Sequence, residues 1–455
     1  MDNLSLKEIA VMAGATLLQD DPKVFVGNIN KDTRTIKKGD LYVGLRGEKF
    51  DGNQFAADAL ARGASAVLLD CPDVAKKLAT EHPVLLADNS LNALTRLATA
   101  WRARLDLLVV GITGSNGKTS TKDFTAAVLK TRFETIKTAG NLNNHIGVPL
   151  SVLAASSKDQ AAVWEVGMNH PGEIAPLAAL IQPRCAIITN IGVAHIEYMK
   201  TRDAIALEKG MLAEAVPSTG TVILNNEDDK TDSIAARCQA KIVKVGLNGG
   251  DIYASDITST TEGSTFTINY KDSKYSAAIT VPGNHMVRNA LLALTAGIEC
   301  GVPLESGIKG LSRAELTGGR LEKKSLRGIL FLDDSYNANP DSMEAALQTL
   351  RDMPGAGRRI AVLGKMGELG DYAQEGYQRT GTAAGKLADI LVTVGTETSG
   401  ISSAAREAGL SRIHETSDTA SAARMLSQLA KPGDIVLLKG SRSARMETIF
   451  QHLTN

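Results

Sequence analysis

The chain has 455 residues, enough for about three domains. Lys and Arg together number 50, as do Asp and Glu, so the net charge is zero. That argues against bulk binding to nucleic acid or to a membrane surface, and any acidic ligand must be met by locally placed groups. Hydrophobic residues make up 43% of the chain, ample for a core in each domain, and no run approaches the roughly 18 apolar residues of a membrane span. Cys71, Cys185, Cys238 and Cys300 form no C-x-x-C pair, which predicts reduced thiols in a cytosolic protein. Met1 to Ala10 carries acids and lacks the apolar core of a signal peptide, so the expected location is the cytoplasm.

Residues 1–86 read as a small α/β domain. The pattern predicts a helix over Leu4 to Ala13, a turn at Asp32-Thr33-Arg34-Thr35 and a strand over Leu41 to Leu45. A turn-rich stretch from Gly47 to Gly52, a helix over Phe55 to Arg62 and a strand over Ala66 to Leu69 follow. Asp32, Thr33 and Arg34 either form a turn or bind a phosphate or nucleotide. Ser90 to Arg102 is a predicted helix with Ser90 as its cap.

Residues 87–315 alternate strands and helices as in a parallel sheet. The apolar run Leu107 to Val110 predicts a buried strand. T-G-S-N-G-K-T (Thr113 to Thr119) follows, and then helical spacing over Thr121 to Leu129. Strand, Gly-rich loop and Lys-Thr at a helix start describe a phosphate cradle built from Gly114, Ser115, Asn116, Gly117 and Ser120. In such a cradle Lys118 reaches the β/γ-phosphates and the Thr119 hydroxyl meets Mg²⁺. The strict G-x-x-x-x-G-K-[ST] pattern is missed by one residue, because Gly111 is a position early and Ile112 stands where the first Gly belongs. An ordinary βα turn with a chance G-K-T is the plainer reading.

Further strands are predicted over Ala161 to Val166, Ala186 to Asn190 and Thr221 to Leu224. Ligands gather at the carboxyl ends of such strands, where Glu165, Thr189-Asn190 and Asn225-Asn226 fall. Glu165 could bind the Mg²⁺ that Thr119 touches, or face solvent. His195 and Lys209 read singly as a structural histidine and a surface lysine. Asn141, Asn143 and Asn144 present uncharged amides, either as turn formers or to recognise a sugar or peptide. From Asp251 to Thr280 the pattern predicts an antiparallel insertion, ended by Pro282-Gly283-Asn284-His285 and followed by a helix over Asn289 to Cys300.

Residues 316–455 form a third α/β unit. Its strands are predicted over Ile329 to Leu332, closed by Asp333-Asp334, then Arg359 to Leu363, Ile390 to Val394 and Ile435 to Leu438. Gly364-Lys365-Met366-Gly367 lacks the G-x-G-x-x-G spacing of a dinucleotide loop.

Several segments together resemble those of the Mur ligases, the ATP-dependent amide-forming enzymes of peptidoglycan precursor synthesis. They are Asp32 to Gly52, T-G-S-N-G-K-T, G-N-L-N-N-H-I-G-V-P (Gly140 to Pro149) and the Glu165, His195 and Lys209 positions. Later come P-G-N-H-M-V-R-N-A (Pro282 to Ala290), G-G-R-L-E (Gly318 to Glu322), D-D-S-Y-N-A-N-P (Asp333 to Pro340) and L-L-K-G-S-R (Leu437 to Arg442). The last two are the most specific to the branch that adds D-alanyl-D-alanine to UDP-N-acetylmuramoyl-tripeptide. The likeness covers essentially the whole chain.

The resemblance implies an α/β fold of three domains: an N-terminal UDP-substrate domain, a central P-loop ATPase-like domain with a mostly parallel sheet, and a C-terminal Rossmann-like domain. It implies ATP and two Mg²⁺ ions as cofactors and an acyl-phosphate route to the new amide. Lys118 would bind the β/γ-phosphates, Thr119 and Glu165 one Mg²⁺, and His195 and Lys209 the second, with Lys209 carbamylated. His285 and Asn289 match the nucleotide side, Arg320 would reach the γ-phosphate, and Asp334 the ribose. Lys118, Lys209, His195 and Arg320 are the implied catalytic set. Thr33 and Arg34 would hold the UDP end, and Asn141, Asn143 and Asn144 the muramoyl peptide. Tyr336, Asn337, Asn339, Ser441 and Arg442 would position the dipeptide.

The chain departs from the branch at Lys365, where an acid is usual, at Tyr377, where a His is expected, and at Asn53, often His. Small-molecule substrates, no nucleic acid, no membrane insertion and a monomer are expected. Another ligase of the superfamily, a folylpolyglutamate synthase among them, a P-loop ATPase that makes no bond, and a degenerate ligase kept for binding are the alternatives. The segment Asp32 to Gly52 argues against the folate enzyme, and the lack of N-K-x-D against a guanine-nucleotide switch.

Overall fold

A computed structural model describes residues 1–454. The chain forms two compact units. The first comprises Met1–Gly111, Phe133–Val166 and Ala175–Pro183, the second, of the described residues, Ile112–Arg132, Gly167–Ile174 and 184–454.

In the first unit a five-stranded sheet runs in the order Thr16–Gln19, Val84–Leu86, Ala66–Leu69, Asp40–Val43, Asn28–Asn30. All neighbours are parallel except the edge strand Thr16–Gln19. Asp40–Val43 and Ala66–Leu69 are buried at every position. Burial on both faces is why Leu41 to Val43 and Ala66–Leu69 read as continuous apolar runs rather than alternating ones. Tyr42, Ala59, Val67, Leu69 and Val84 share the core beneath them. The first helix is Leu6–Ala13. Ser5 and Glu8 close a capping box there: the Ser5 hydroxyl accepts from Glu8 N–H at 3.3 Å, and the Glu8 carboxylate accepts from Ser5 N–H at 3.0 Å. Leu4–Ser5, expected inside the helix, instead pairs with Phe25–Val26. Helix Ser90–Arg102 is capped by Asn89 rather than Ser90, the Asn89 side chain accepting from Asn92 N–H at 2.9 Å. This unit also holds the parallel pair Thr135–Lys137 and Ala161–Glu165.

The strand Leu108–Thr113 starts in the first unit and ends in the second. Within the second unit, Cys185–Ile188, Thr221–Asn225, Lys241–Gly246 and Ile252–Ser259 lie side by side and parallel. Ile252–Ser259, Ser264–Tyr270 and Ser273–Ile279 then continue as an antiparallel meander. The expected insertion is therefore an extension of the parallel sheet, joined through Val245 opposite Ile252. The helix after it is Asn284–Glu299, so it begins before His285 and places His285 and Asn289 one turn apart.

The rest of the second unit carries a six-stranded sheet in the order Glu322–Leu326, Ile329–Asp334, Ile435–Lys439, Arg359–Gly364, Ile390–Val394, Ile413–Thr416. It is parallel except for the edge hairpin Glu322–Leu326 with Ile329–Asp334. That hairpin turns on Arg327 and Gly328, at φ 51° and 75°, the two positive values a tight two-residue turn needs. Asp333 and Asp334 lie within their strand rather than beyond it. Phe331, Ile360, Val362, Val392, Val436 and Leu438 form the core. No helix among the described residues is long and apolar enough to cross a membrane.

Candidate active site

The Gly-rich loop leaves the buried strand Leu108–Thr113 and enters helix Lys118–Leu129. Gly114 has φ 149° and Gly117 φ 81°. A Cβ at Gly114 would lie 1.8 Å from Thr189 Oγ1, and one at Gly117 would lie 2.6 Å from Asn289 Oδ1. Both positions demand glycine. Ile112 is fully buried inside the strand, so the sharp part of the loop starts later than in the strict pattern and needs no earlier glycine. The helix begins at Lys118 rather than Thr121, with no side chain capping it. This geometry suits an anion at a helix N-terminus.

Neighbouring residues fix the loop's shape. Ser115 N–H donates to Asn190 O at 2.9 Å, and Asn116 N–H to Asn190 Oδ1 at 3.0 Å. The Thr189 hydroxyl donates to Asn116 O at 2.5 Å. The strand-end pair Thr189-Asn190 thus braces the cradle. Lys118 Nζ donates to Gly114 O at 2.8 Å.

Lys209 lies on helix Arg202–Glu214, which Thr201 caps. It is fully buried, and its Nζ has no hydrogen-bond partner. Desolvation, reinforced by the Lys118 charge and opposed by Glu208, holds its pKa well below the usual lysine range. A lone helical lysine is expected at the surface; this one is not there. The adjacent Glu208 turns to the loop Gly167–Ile174, accepting from Gly172 N–H at 2.9 Å and Ile174 N–H at 2.8 Å.

His195 sits at φ 65° at the start of the short helix Ile196–Met199. Burial lowers its pKa, the Glu368 carboxylate opposes this, and the Lys118 and Lys209 charges add to the lowering. Glu368 Oε2 lies 2.6 Å from His195 Nδ1. Sequence reasoning did not single out Glu368, although the L-G-K-M-G-E-L-G segment contains it.

Arg320 and the P-loop meet. Arg320 Nη2 donates to Thr119 Oγ1 at 2.9 Å, and its guanidinium lies 3.9 Å from the centre of the Tyr336 ring. Asn289 is buried beside Gly117. His285 is half-buried, and desolvation with the charges of Lys439 and Arg288 pushes it down to about 3, so it is neutral at pH 7. Asp334 accepts from Lys439 Nζ at 2.5 Å and from Leu321 N–H at 3.2 Å. Burial raises its pKa, and Lys439 and then Arg320 oppose the shift. Lys439 was not anticipated; its place in L-L-K-G-S-R was the available signal. It also donates to Asn337 O at 3.1 Å.

Asn339 caps helix Pro340–Asp352, and its Nδ2 donates to Asn116 Oδ1 at 2.8 Å. Ser441 is buried, with its hydroxyl 3.1 Å from that of Ser443, while Arg442 is exposed and pairs with Glu447 at 3.3 Å. Lys365 pairs with Glu397 at 3.2 Å, and the Tyr377 hydroxyl contacts Met366 N–H at 3.3 Å. These two departures are absorbed by local contacts.

The remaining candidates belong to the first unit. Glu165 is buried, accepts from Asn143 Nδ2 at 2.8 Å, and donates its N–H to Thr138 Oγ1 at 3.0 Å. Asn144 Oδ1 accepts from Gly147 N–H at 2.9 Å, at the start of helix Gly147–Ala154, and Asn141 is exposed. Thr33 and Arg34 lie in the short 3₁₀ turn Thr33–Thr35. Arg34 Nη2 donates to Asp32 at 2.6 Å, and that bond holds the Asp32 carboxyl down at about 2. Asn53 is buried and bonds Asp70 reciprocally, Nδ2 to Oδ1 at 2.8 Å and Oδ1 from N–H at 3.0 Å.

UDP-N-acetylmuramoyl-tripeptide–D-alanyl-D-alanine ligase of Bacillus subtilis (strain 168) is 35% identical to this chain, covering 99% of it and 98% of that protein. The chain belongs to the Mur ligase family. The enzyme of the same name from Escherichia coli (strain K12) is 36% identical, with 93% of each covered. Three Mur ligase models match in succession: the family's catalytic domain over residues 26–102, its middle domain over 112–297, and its glutamate ligase domain over 319–442. Among solved structures, MurF from Acinetobacter baumannii superposes with a TM-score of 0.90 at 31% identity, covering 100% of this chain and 99% of that one. MurF ligase from Thermotoga maritima in complex with ADP gives 0.83 at 26% identity, covering 94% and 96%. The expected three-domain α/β Mur ligase fold is present.

Proposed function

We propose that this chain joins D-alanyl-D-alanine to the terminal carboxylate of UDP-N-acetylmuramoyl-tripeptide, converting ATP to ADP and phosphate and giving the UDP-linked pentapeptide. The full-length likeness to ligases of that name carries the assignment. The work is divided among domains at residues 1–86 for the UDP end, 87–315 for ATP and 316–455 for the dipeptide, and it takes place in the cytoplasm.

A carboxylate is a poor electrophile. Phosphorylation by ATP makes it an acyl phosphate; the amine of the dipeptide then attacks, and phosphate leaves. Bringing a phosphoryl group onto a carboxylate brings like charges together, so the site must supply positive charge. Lys118 and Arg320 do this at the β/γ-phosphates, on the cradle formed by Gly114 to Gly117 and Ser120. Asn289 and His285 meet the nucleotide, and Asp334 its ribose. Thr33 and Arg34 hold the UDP end, and Asn141, Asn143 and Asn144 the muramoyl peptide. Asn337, Ser441 and Arg442 position the dipeptide, with Tyr336 and Asn339 beside them.

Mg²⁺ would be held in the second unit by His195 and Lys209, where it would neutralise phosphoryl and carboxylate oxygens; Thr119 in the same unit and Glu165 in the first are the further candidate ligands. A bare amine suits a hard cation poorly, whereas a carbamate presents oxygens. Lys209 fits that modification. It is buried, its Nζ has no partner, and it is held toward the neutral form that adds CO₂, with release of one proton.

The test is phosphate release with ATP, Mg²⁺, UDP-N-acetylmuramoyl-tripeptide and D-alanyl-D-alanine, omitting each in turn. Turnover that needs both acceptor and dipeptide, with a pentapeptide product by mass, is expected. Running tripeptides ending in lysine and in meso-diaminopimelate identifies the third residue. A folded, ATP-binding protein that turns over neither would overturn the substrate assignment.

A further inference from the structure

Arg320 sits on a turn that is pinned on three sides. Before it, Thr317 donates from its N–H and its hydroxyl to one oxygen of Asp123, each at 2.8 Å. After it, Leu321, at φ 52°, donates to Asp334 at 3.2 Å. Alongside, Gly319, at φ 72°, accepts from Tyr336 N–H at 3.2 Å, and a Cβ there would lie 3.4 Å from that of Tyr336. Asp123 follows Thr119 by four residues on helix Lys118–Leu129, so both face the same way. One helix face thus grips the turn at Thr317 and the guanidinium at Arg320.

The guanidinium is fixed as well. Nη2 bonds Thr119, the Tyr336 ring lies against its face at 3.9 Å, and Nη1 is buried with no partner in the protein. A free arginine side chain samples many rotamers, and the ring and the hydroxyl together select one. A buried donor without an acceptor is unfavourable. Its retention makes sense when an anion supplies the acceptor.

We infer that Tyr336 and Asp123 are positioning residues for Arg320, and that Tyr336 acts through the guanidinium rather than on the dipeptide. The inference rests on Arg320 meeting the γ-phosphate. The two can fail separately. Tyr336→Leu, Arg320→Ala and the double variant of the full chain are compared by kcat and by KM for ATP and for D-alanyl-D-alanine. Tyr336→Leu is expected to lower kcat about tenfold with KM for the dipeptide unchanged. In the Arg320→Ala background the same change should cost less than about twofold, because its target is gone. Tyr336→Phe, which keeps the ring, should lose less than Tyr336→Leu. Thr317→Val, which leaves the backbone bond to Asp123, should lower kcat about threefold with the same loss of effect in the Arg320→Ala background, and it serves if Tyr336→Leu does not fold. A raised KM for the dipeptide at unchanged kcat, or full additivity with Arg320→Ala, overturns the inference and leaves the ligase assignment standing. Undiminished turnover in Arg320→Ala overturns the reading of Arg320 itself.

Discussion

Glu368 Oε2 and His195 Nδ1 lie 2.6 Å apart, although the two residues come from different family domains. A carboxylate on one ring nitrogen sets which way the other faces. Glu368→Ala should lower turnover about tenfold and raise the Mg²⁺ concentration needed for half-maximal rate. Calorimetric titration with Mn²⁺ and ADP should show a matching loss of metal affinity. Metal affinity identical to that of the wild type would remove Glu368 from this role.

Lys118→Ala and Lys209→Ala should both abolish ligation, for different reasons. The first removes the charge proposed to meet the β/γ-phosphates, the second the amine proposed to take up CO₂. Only the wild-type enzyme should lose turnover when CO₂ is stripped from the buffer and regain it with bicarbonate. Full activity of Lys209→Ala in CO₂-depleted buffer would refute the carbamate.

Gly114→Ala and Gly117→Ala should each weaken ATP binding at least about tenfold while the far-ultraviolet spectrum stays native. The added methyls would meet Thr189 and Asn289 at distances no Cβ tolerates, and both residues hold φ values that strain alanine. Calorimetric titration with ATP checks this.

His285 is held near pKa 3 by burial, Lys439 and Arg288, against an ordinary 6.5. The unfolded chain therefore binds a proton that the folded one refuses. The stability due to this neutral site is complete above pH 6.5 and is lost as pH falls toward 3. His285→Gln should flatten the acid limb of the denaturation midpoint against pH between those values. An unchanged limb would show that His285 titrates normally.

The strand positions were legible because both faces of the parallel strands are buried, so Ala66–Leu69 reads as an unbroken apolar run and Ile390–Val394 as one broken only by Thr393. The strands Glu322–Leu326 and Ile413–Thr416 were not. They lie at sheet edges, and their polar, partly exposed residues carry no such run. The start of helix Lys118–Leu129 was off because its first turn, Lys118 to Thr121, is polar although buried from Thr119 on, so apolar periodicity does not mark it. In the site, the P-loop was readable from spacing alone because its chemistry is local. Lys209 was not, because its burial comes from residues far away in the chain. Lys439 and Glu368 were missed for the same reason: an ion pair across the fold leaves no spacing to read.

Glu208 and Lys209 are neighbours on one helix with opposite attachments. Glu208 holds two N–H groups of the loop Gly167–Ile174, so the helix cannot roll to show Lys209 to water without releasing that loop. On the proposed carbamate chemistry, CO₂ exchange at Lys209 is expected to follow release of that loop. Turnover would then lag behind a sudden change in CO₂ by a time set by the protein's own breathing, giving hysteresis.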